Sequence, residues 1–274
     1  FKLRPFNDDD YGGIVSLRNT LYPDHPKTVE ELRHHDRTHE HKIKQKRWVY
    51  GKNDSIIVSA MYTQFIEAYH PKKFAFFIYV LPKFQGLGFG AESYKYLTDK
   101  LNIFDPIKLT SEANEAHERS IKFLKDRGYK NTIKEKESKL NLMTYDPQQH
   151  KTIIYNIIKQ GFRIITLKQF RLEDENADYK CWQLEREVAP DMPWTDPISI
   201  PKYDHYNQYV LNHPRFNPNS WFIVLDNTTI VGMSNLWGTP QKEIINTGLT
   251  GVKRSFRCKG IASALKHTSL HWAK

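Results

Sequence analysis

Cysteine is nearly absent from this chain. Only Cys181 and Cys258 occur among its 274 residues, too few for the disulfide framework of a small secreted scaffold and wrongly spaced for a Cys-x-x-Cys metal site. Two lone thiols fit a reducing compartment, so a cytoplasmic protein is the expectation. Long apolar runs are missing as well. No stretch approaches the ~20 residues that span a bilayer, and the basic start lacks the apolar core of a signal peptide, so no membrane partner is expected. The chain opens on Phe1 instead of Met, which points to a short leader already removed. Negative charge is the minority: 31 Asp plus Glu stand against 41 Lys plus Arg, a formal net charge of +10. That surplus suits a polyanion such as nucleic acid, an acidic surface or a multiply phosphorylated cofactor. A lysine-rich soluble surface accounts for it equally well. No nucleic-acid recognition motif accompanies the charge, and nucleic acid is not an expected partner.

What is present is an α/β pattern that runs through the chain twice. Residues 1–6 alternate as a strand does, Asn7-Asp8-Asp9-Asp10 is a capping cluster, and Ile14, Val15, Leu17 and Leu21 continue as a helix. A second helix is predicted over 29–39, then strands at 47–50, 56–65 and 74–80, with Lys52-Asn53-Asp54 as the turn between the first two. A glycine loop opens a helix with Tyr94, Leu97 and Leu101 on its buried face. A strand at 107–110, a helix at 120–127 stopped by Gly128, and a charged strand at 129–142 complete the first unit. From Asp146-Pro147 a connecting helix carries Ile153, Ile154, Ile157 and Ile158 on one face and stops at Gly161. The pattern then restarts: a strand at 162–167, a helix at 178–187, a proline-rich loop, a helix at 203–211, and strands at 221–225, 230–236 and 244–252. A last helix presents Ile261, Leu265, Thr268 and Trp272. The expected domains are 1–145 and 162–274, joined by a connecting helix at 146–161. Compared with the first unit, the second lacks a strand, a helix and a closing strand, which would leave a sheet edge open. It reads as C-terminally incomplete, with the native polypeptide continuing past Lys274.

Each unit carries the same loop between a strand and a helix. The first is Val80-Leu81-Pro82-Lys83-Phe84-Gln85-Gly86-Leu87-Gly88-Phe89-Gly90, and the second is Val252-Lys253-Arg254-Ser255-Phe256-Arg257-Cys258-Lys259-Gly260-Ile261-Ala262. Main-chain N–H groups in such a turn converge on one point, and the helix N-terminus adds partial positive charge there, which is how a pyrophosphate is gripped. A P-loop needs Gly-Lys-Ser/Thr where Gly90-Ala91-Glu92 stands. A dinucleotide fingerprint fits Gly86-x-Gly88, with Glu112 placed as a ribose-binding acid. However, Gly90 falls one residue too early, and the second copy keeps only Gly260.

The shared pattern is Gln/Arg-x-x-Gly-x-Gly/Ala, preceded by Val-x-Pro in the first copy, and here the chain resembles the GNAT superfamily of N-acetyltransferases. Asn114, followed by the helix ending in Gly128-Tyr129, resembles the family's later motif. Asn246-Thr247-Gly248-Leu249-Thr250-Gly251-Val252 running into Arg257 resembles the C-terminal halves of tandem, mycothiol-synthase-like members. The resemblance implies two tandem GNAT-like units, each a mixed, mostly antiparallel sheet flanked by helices. It implies acetyl-CoA as co-substrate, lying where the fourth and fifth strands splay, and direct transfer of its acetyl group to the amine of a small molecule or peptide. Cofactor-binding positions carried over are Val80, Leu81, Gln85, Gly86, Leu87, Gly88, Phe89, Gly90 and Asn114, and Val252, Arg257, Cys258, Lys259, Gly260, Ile261 and Ala262. Backbone N–H groups at Val80 or Val252 would polarise the thioester carbonyl.

The catalytic positions match less well. The family's proton-donating Tyr is replaced by Leu124, which donates nothing, leaving Tyr129 as a neighbouring stand-in. The run Phe74, Ala75, Phe76, Phe77, Ile78 offers no general base. The alternative is therefore a catalytically inactive acetyl-CoA-binding or sensing module. The acceptor, the active unit and the oligomeric state stay open. His34, His35, His39 and His41 crowd one basic stretch, and His35 and His39 share the i, i+4 spacing of a metal pair, but no further ligand completes a site, so no metal is expected and a solvated helix end is the reading. Cys258, beside Arg254, Arg257 and Lys259, is expected to ionise more readily than a free thiol. Trp182, Trp194, Trp221 and Trp237 read as core or pocket wall.

Overall fold

The structure is a computed structural model and describes residues 1–52 and 55–274. Contacts divide the chain into two units, one of Phe1–Glu135 with Trp194–Ser199 and the other of Lys136–Pro193 with Ile200–Lys274. In the first unit, Asn7 and Asp10 form a capping box, each side chain taking the other's backbone N–H, so the acidic cluster launches α1 (Tyr11–Leu21). Thr28 and Glu31 do the same for α2 (Val29–Thr38). The strands are β1 (Arg4–Pro5), β2 (Lys46–Lys52), β3 (Ser55–Thr63), β4 (Lys73–Val80) and β5 (Lys108–Thr110), in the spatial order β1-β2-β3-β4-β5. Neighbours pair antiparallel up to β4, and β4 pairs with β5 in parallel. Two helices complete the unit, α3 (Phe89–Leu101) and α4 (Glu118–Lys125).

The alternation of β4 explains how this unit is layered. Phe74, Phe76 and Val80 are buried with Leu97 and Leu101 of α3, and Ile78 packs beside them. The residues between them, Phe77 and Tyr79, therefore face the side occupied by α1. Leu97 and Leu101 are each 1% exposed, and truncating either to Ala costs roughly 2–5 kcal/mol by cavity formation.

The second unit begins with α5 (Lys151–Lys159) and β6 (Phe162–Thr166), followed by α6 (Leu167–Glu173), α7 (Ala177–Val188) and the short α8 (Tyr203–Tyr206). Strands β7 (Trp221–Asp226), β8 (Thr229–Gly238) and β9 (Ile245–Val252) precede α9 (Ile261–Ala273). The sheet order is β6-β7-β8-β9, antiparallel throughout. Trp221, Ile223 and Leu225 enter the core shared with α6, α7 and α8. Phe222 and Val224 enter the opposite one with Ile157 of α5 and Ile261, Ala264 and Leu265 of α9.

Several expectations need correction. Residues 1–6 pair with β2 only at Arg4 and Pro5. Residues 129–142 form no strand: this segment alternates Lys and Glu with few apolar residues, so neither face has surface to bury. Leu167 does not end a strand but starts α6, behind a Thr166/Gln169 capping box that the sequence displays openly. The helix expected over 203–211 is α8 followed by a π-helical turn, Asn207–Leu211. Ile158, Trp194 and Trp272 are exposed to 56%, 47% and 43%, while Trp221 is fully buried and Trp182 nearly so. The Asn53-Asp54 turn lies outside the described residues.

Candidate functional site

The two loops share one backbone. Leu81 N–H donates to the Ile57 carbonyl, and Lys253 N–H to Val231, each at 2.9 Å. A 3-10 turn follows in both, Pro82–Phe84 and Arg254–Phe256. The next side chain then folds back onto the strand: Gln85 Nε2 donates to the Val80 carbonyl, and Arg257 Nε to the Val252 carbonyl, each at 3.0 Å. This explains why Gln and Arg exchange at that position. Both offer an N–H at the end of a long side chain, and both brace the strand end against the loop.

Two left-handed residues then turn the chain into the helix. Gly86 and Gly88 have φ of 84° and 91°, and Cys258 and Gly260 have 61° and 86°. Gly88 and Gly260 are the N-cap residues of α3 and α9, and neither helix start has a side-chain cap. The first-turn N–H groups of Phe89, Gly90 and Ala91, and of Ile261, Ala262 and Ser263, are thus left by their own helix for an anion. A Cβ at Gly90 would meet only Phe123, at an ordinary 3.5 Å, which is why Ala262 serves in the second copy. At Gly86 a Cβ would stand 2.5 Å from Arg119 Nη1. The missing side chain lets the Arg119 guanidinium lie over the loop, a cation the sequence reading did not single out. Leu87 is exposed on the outside of the turn, so its backbone and not its side chain belongs to the grip.

Beside the first loop the sheet opens. Parallel pairing of β4 with β5 ends at Ala75 and Thr110. Thr110 Oγ1 to Phe74 O, at 3.3 Å, and Ser111 Oγ to Phe76 O, at 2.9 Å, are the last stitches. After them the chain leaves β4 through Glu112 and Ala113, and a cleft of about 600 Å³ follows the free edge of β4 down to the loop. One wall is Ser120, Phe123 and Leu124 of α4, and the other is Thr20, Leu21 and Tyr22 at the end of α1. Gln85, Gly86, Gly88 and Gly90 line its mouth together with Arg119.

The remaining first-unit candidates lie as follows. Asn114 is exposed, accepts the Ala116 N–H at 2.9 Å in a turn, and does not line the cleft. Tyr129 is half-buried against Phe76, its hydroxyl 3.2 Å from that of Tyr94, away from the cleft lining. Burial and Tyr94 hold that hydroxyl well above the usual tyrosine range. Leu124 does line the cleft. Two tyrosines that the sequence reading passed over, Tyr22 and Tyr79, line it as well. Burial raises both hydroxyls, and the Arg18 charge opposes the shift. Glu112, weighed only as a ribose ligand, is in the same lining, its carboxyl pushed up first by burial and then by Glu135. The signal in the sequence was positional: Tyr79 alternates with the core residues of β4, and Glu112 follows the short β5.

In the second unit the loop is furnished differently. β9 is the edge of its sheet among the described residues. Asp191, which ends the 3-10 turn after α7, binds both Arg254 and Arg257. The two guanidinium groups hold its carboxyl well below the usual carboxylate range. Gly251 is needed for close packing, since a Cβ there would stand 2.6 Å from Val188. Cys258 is exposed and Cys181 buried. The histidines of the α2 region bind separately: His35 Nδ1 lies 3.3 Å from Asp36, and His39 Nε2 lies 3.3 Å from the Ile43 carbonyl. His34 is buried instead of solvated. Among the described residues, no helix is long and apolar enough to cross a membrane.

Comparison with known proteins places this geometry. The sequence model of the acetyltransferase (GNAT) family matches residues 180–274. No curated protein matches the sequence. The whole chain is similar in structure to a tandem GNAT protein from the clavulanic acid biosynthesis pathway, at 12% identity and a TM-score of 0.68, covering 99% of this chain and 85% of that one. It is also similar to a GCN5-related N-acetyltransferase from Sphaerobacter thermophilus, at 13% identity and a TM-score of 0.63, covering 99% and 82%. A glucosamine N-acetyltransferase region of a fungal multi-domain β-N-acetylglucosaminidase gives 10% identity and a TM-score of 0.66, covering 99% of this chain and 34% of that one. The chain is therefore a tandem of two GNAT-fold units, and its residues 180–274 match the sequence model of the GNAT acetyltransferase family.

Proposed function

We propose that this protein is an acetyl-CoA-dependent N-acetyltransferase and that its first unit holds the thioester. The observation that carries this reading is the continuity of one cleft. It joins a loop with two left-handed glycines and an uncapped helix start to the unpaired edge of a sheet strand. The fit to acetyl-CoA is chemical at each step. The first-turn N–H groups of α3 and the Arg119 guanidinium would meet a pyrophosphate. The free edge of β4 from Phe77 to Val80 offers backbone partners to the amide-bearing pantetheine arm. When bound, acetyl-CoA supplies an acetyl group already activated as a thioester.

The chain's own part is to position and to exclude. Ile78 and Val80 keep the strand rigid by packing in the core, and α1 and α4 wall the cleft on its two sides. An amine arriving there attacks the carbonyl carbon with its lone pair as the C–S bond breaks. Leu124 donates no proton from α4, and the phenol hydroxyls in the cleft lining are those of Tyr22 and Tyr79. Calorimetric titration of the full chain with acetyl-CoA is expected to give saturable binding at micromolar protein. Thiol release on addition of a panel of amines should follow. Absence of binding overturns the proposal, whereas binding without release reduces it to a cofactor-binding module.

A further inference from the structure

The α1 side of the same cleft has a chemistry of its own. Tyr79 leaves β4 on the α1 side and meets Tyr22 edge-on, ring centroids 6.0 Å apart. His117, just before α4, lies against the other side of Tyr22 at 5.3 Å. Glu112 completes this corner, and among the described residues no cation pairs with it. Three electron-rich rings beside a carboxylate attract a cation: the ring faces through their quadrupole, the carboxylate through its charge.

The charged groups around the corner come from every element packed on it. From α1 comes Arg18, which donates to the His25 carbonyl at 2.5 Å and stands 5.8 Å from the Tyr22 ring centroid. From the start of α4 come Glu118 and Arg119, the latter turned to the loop at Gly86. The segment after α4 adds Glu135, whose charge reaches Glu112. Arg119 is turned to the loop, and Arg18 bonds the Tyr79 hydroxyl as well as the His25 carbonyl; the carboxylates of Glu112, Glu118 and Glu135 outnumber Arg18 at this corner.

We infer that Tyr22, Tyr79, His117 and Glu112 form the acceptor subsite of the first unit. They select a cationic primary amine with no carboxylate beside it, and Glu112 takes one proton from its ammonium nitrogen. This rests on the acetyl-transfer reading above and adds the class of acceptor to it. In the proton step an N–H bond breaks and an O–H bond forms on Glu112. The nitrogen keeps the electron pair with which it attacks, and the exposed edge of Glu112 passes the proton to solvent. A carboxylate on the same carbon as the amine would meet Glu112 and Glu135 and be repelled. The raised proton affinity of Glu112 suits a group that must accept a proton and release it again.

Binding without acetyl-CoA tests the inference independently of turnover. The full chain is titrated calorimetrically with 1,4-diaminobutane and with 2,5-diaminohexanedioic acid, its counterpart with a carboxylate beside each amine, and coenzyme A is titrated in parallel. The diamine is expected to bind at least about tenfold tighter than the diacid, and Glu112→Gln to lose about tenfold in diamine affinity. Glu112→Gln should keep the affinity for coenzyme A. In the parent protein, diamine affinity should also fall as pH drops through the raised Glu112 range, and this fall should vanish in Glu112→Gln. Equal affinities for diamine and diacid, or an unchanged affinity in Glu112→Gln, overturn the subsite while coenzyme A binding keeps the acetyl-transfer reading intact. Loss of coenzyme A binding in the parent protein overturns that reading instead, and the subsite with it.

Discussion

The two phosphate-type loops have the same hydrogen bonds and nearly the same left-handed residues, yet they serve different surroundings. In the first unit the loop opens into a cleft, with a cation, Arg119, over it. In the second, a carboxylate from the chain itself, Asp191, engages the loop's two arginines. The second loop also places Cys258 at φ 61°, where the first has Gly86. The backbone of such a loop thus survives loss of its glycine, because the strand-to-helix turn is held from both sides, by Gln85 or Arg257 behind and by the helix ahead. What does not survive automatically is the room beside it.

The sharpest way to separate the units is through their carboxylate clusters. Asp36, mostly buried, accepts from both Nη atoms of Arg47, from Gln45 Nε2 and from Tyr11 Oη. Asp36→Ala leaves Arg47 buried without its partner and should cost the first unit about 3 kcal/mol or more, read by urea unfolding. Asp191→Ala, on exposed arginines, should barely move the second unit's midpoint. The sign with pH follows. The Asp36 carboxyl lies well below its ordinary value of 3.8. Its contribution is therefore complete above that value and is lost only as pH falls toward the depressed one.

Next in size is the loop itself. Gly88→Val forces a β-branched residue to φ 91°, which should weaken coenzyme A binding roughly tenfold or more. Gly260→Val should leave that affinity unchanged if the first unit is the binder, and calorimetry on both variants decides between the units. A smaller effect is expected at the exchanged position. Cys258→Gly relieves a left-handed non-glycine residue and should stabilise the second unit by roughly 0.5–1 kcal/mol. The reverse change, Gly86→Cys, puts a side chain at φ 84° and displaces the Arg119 guanidinium, and should destabilise the first.

The smallest expected effect concerns His267. It stacks on His150 at 3.8 Å and shares a hydrogen bond of 3.1 Å with the Tyr145 hydroxyl. Burial, then the charge of His150, lowers its pKa from 6.5. The neutral ring is the folded form, so its contribution is present above that value and lost as pH falls below it. The second unit's urea midpoint should fall by a small amount from about pH 7.5 to about pH 5. His267→Asn should flatten that fall.

Much of the fold was legible because its signals are local. Capping residues at Asn7 and Thr28, the continuous apolar run of β7, and the stops at Gly128 and Gly161 act over a few residues and mean the same wherever they occur. The error at 129–142 was to expect a strand of a charged segment that has few apolar residues to bury on either face. The omission of α6 came from overlooking Thr166-x-x-Gln169. The candidate site was only half legible. The loop could be found twice by its spacing, whereas Tyr22, Tyr79, Arg119 and Glu112 lie on separate elements, and no spacing joins them.

By itself the sequence determined the repeated α/β pattern and the left-handed turn that points helix N–H groups at an anion, since both follow from backbone sterics and short-range periodicity. Only the tertiary structure decided where the pairing of β4 with β5 stops. That stopping point turns a strand edge into a cleft in the first unit. It depends on the Thr110 and Ser111 hydroxyls bonding across to β4 and on the chain leaving after them, a relation between residues distant in sequence. The same relation brings an aromatic corner, a carboxylate and the loop into the lining of one cleft.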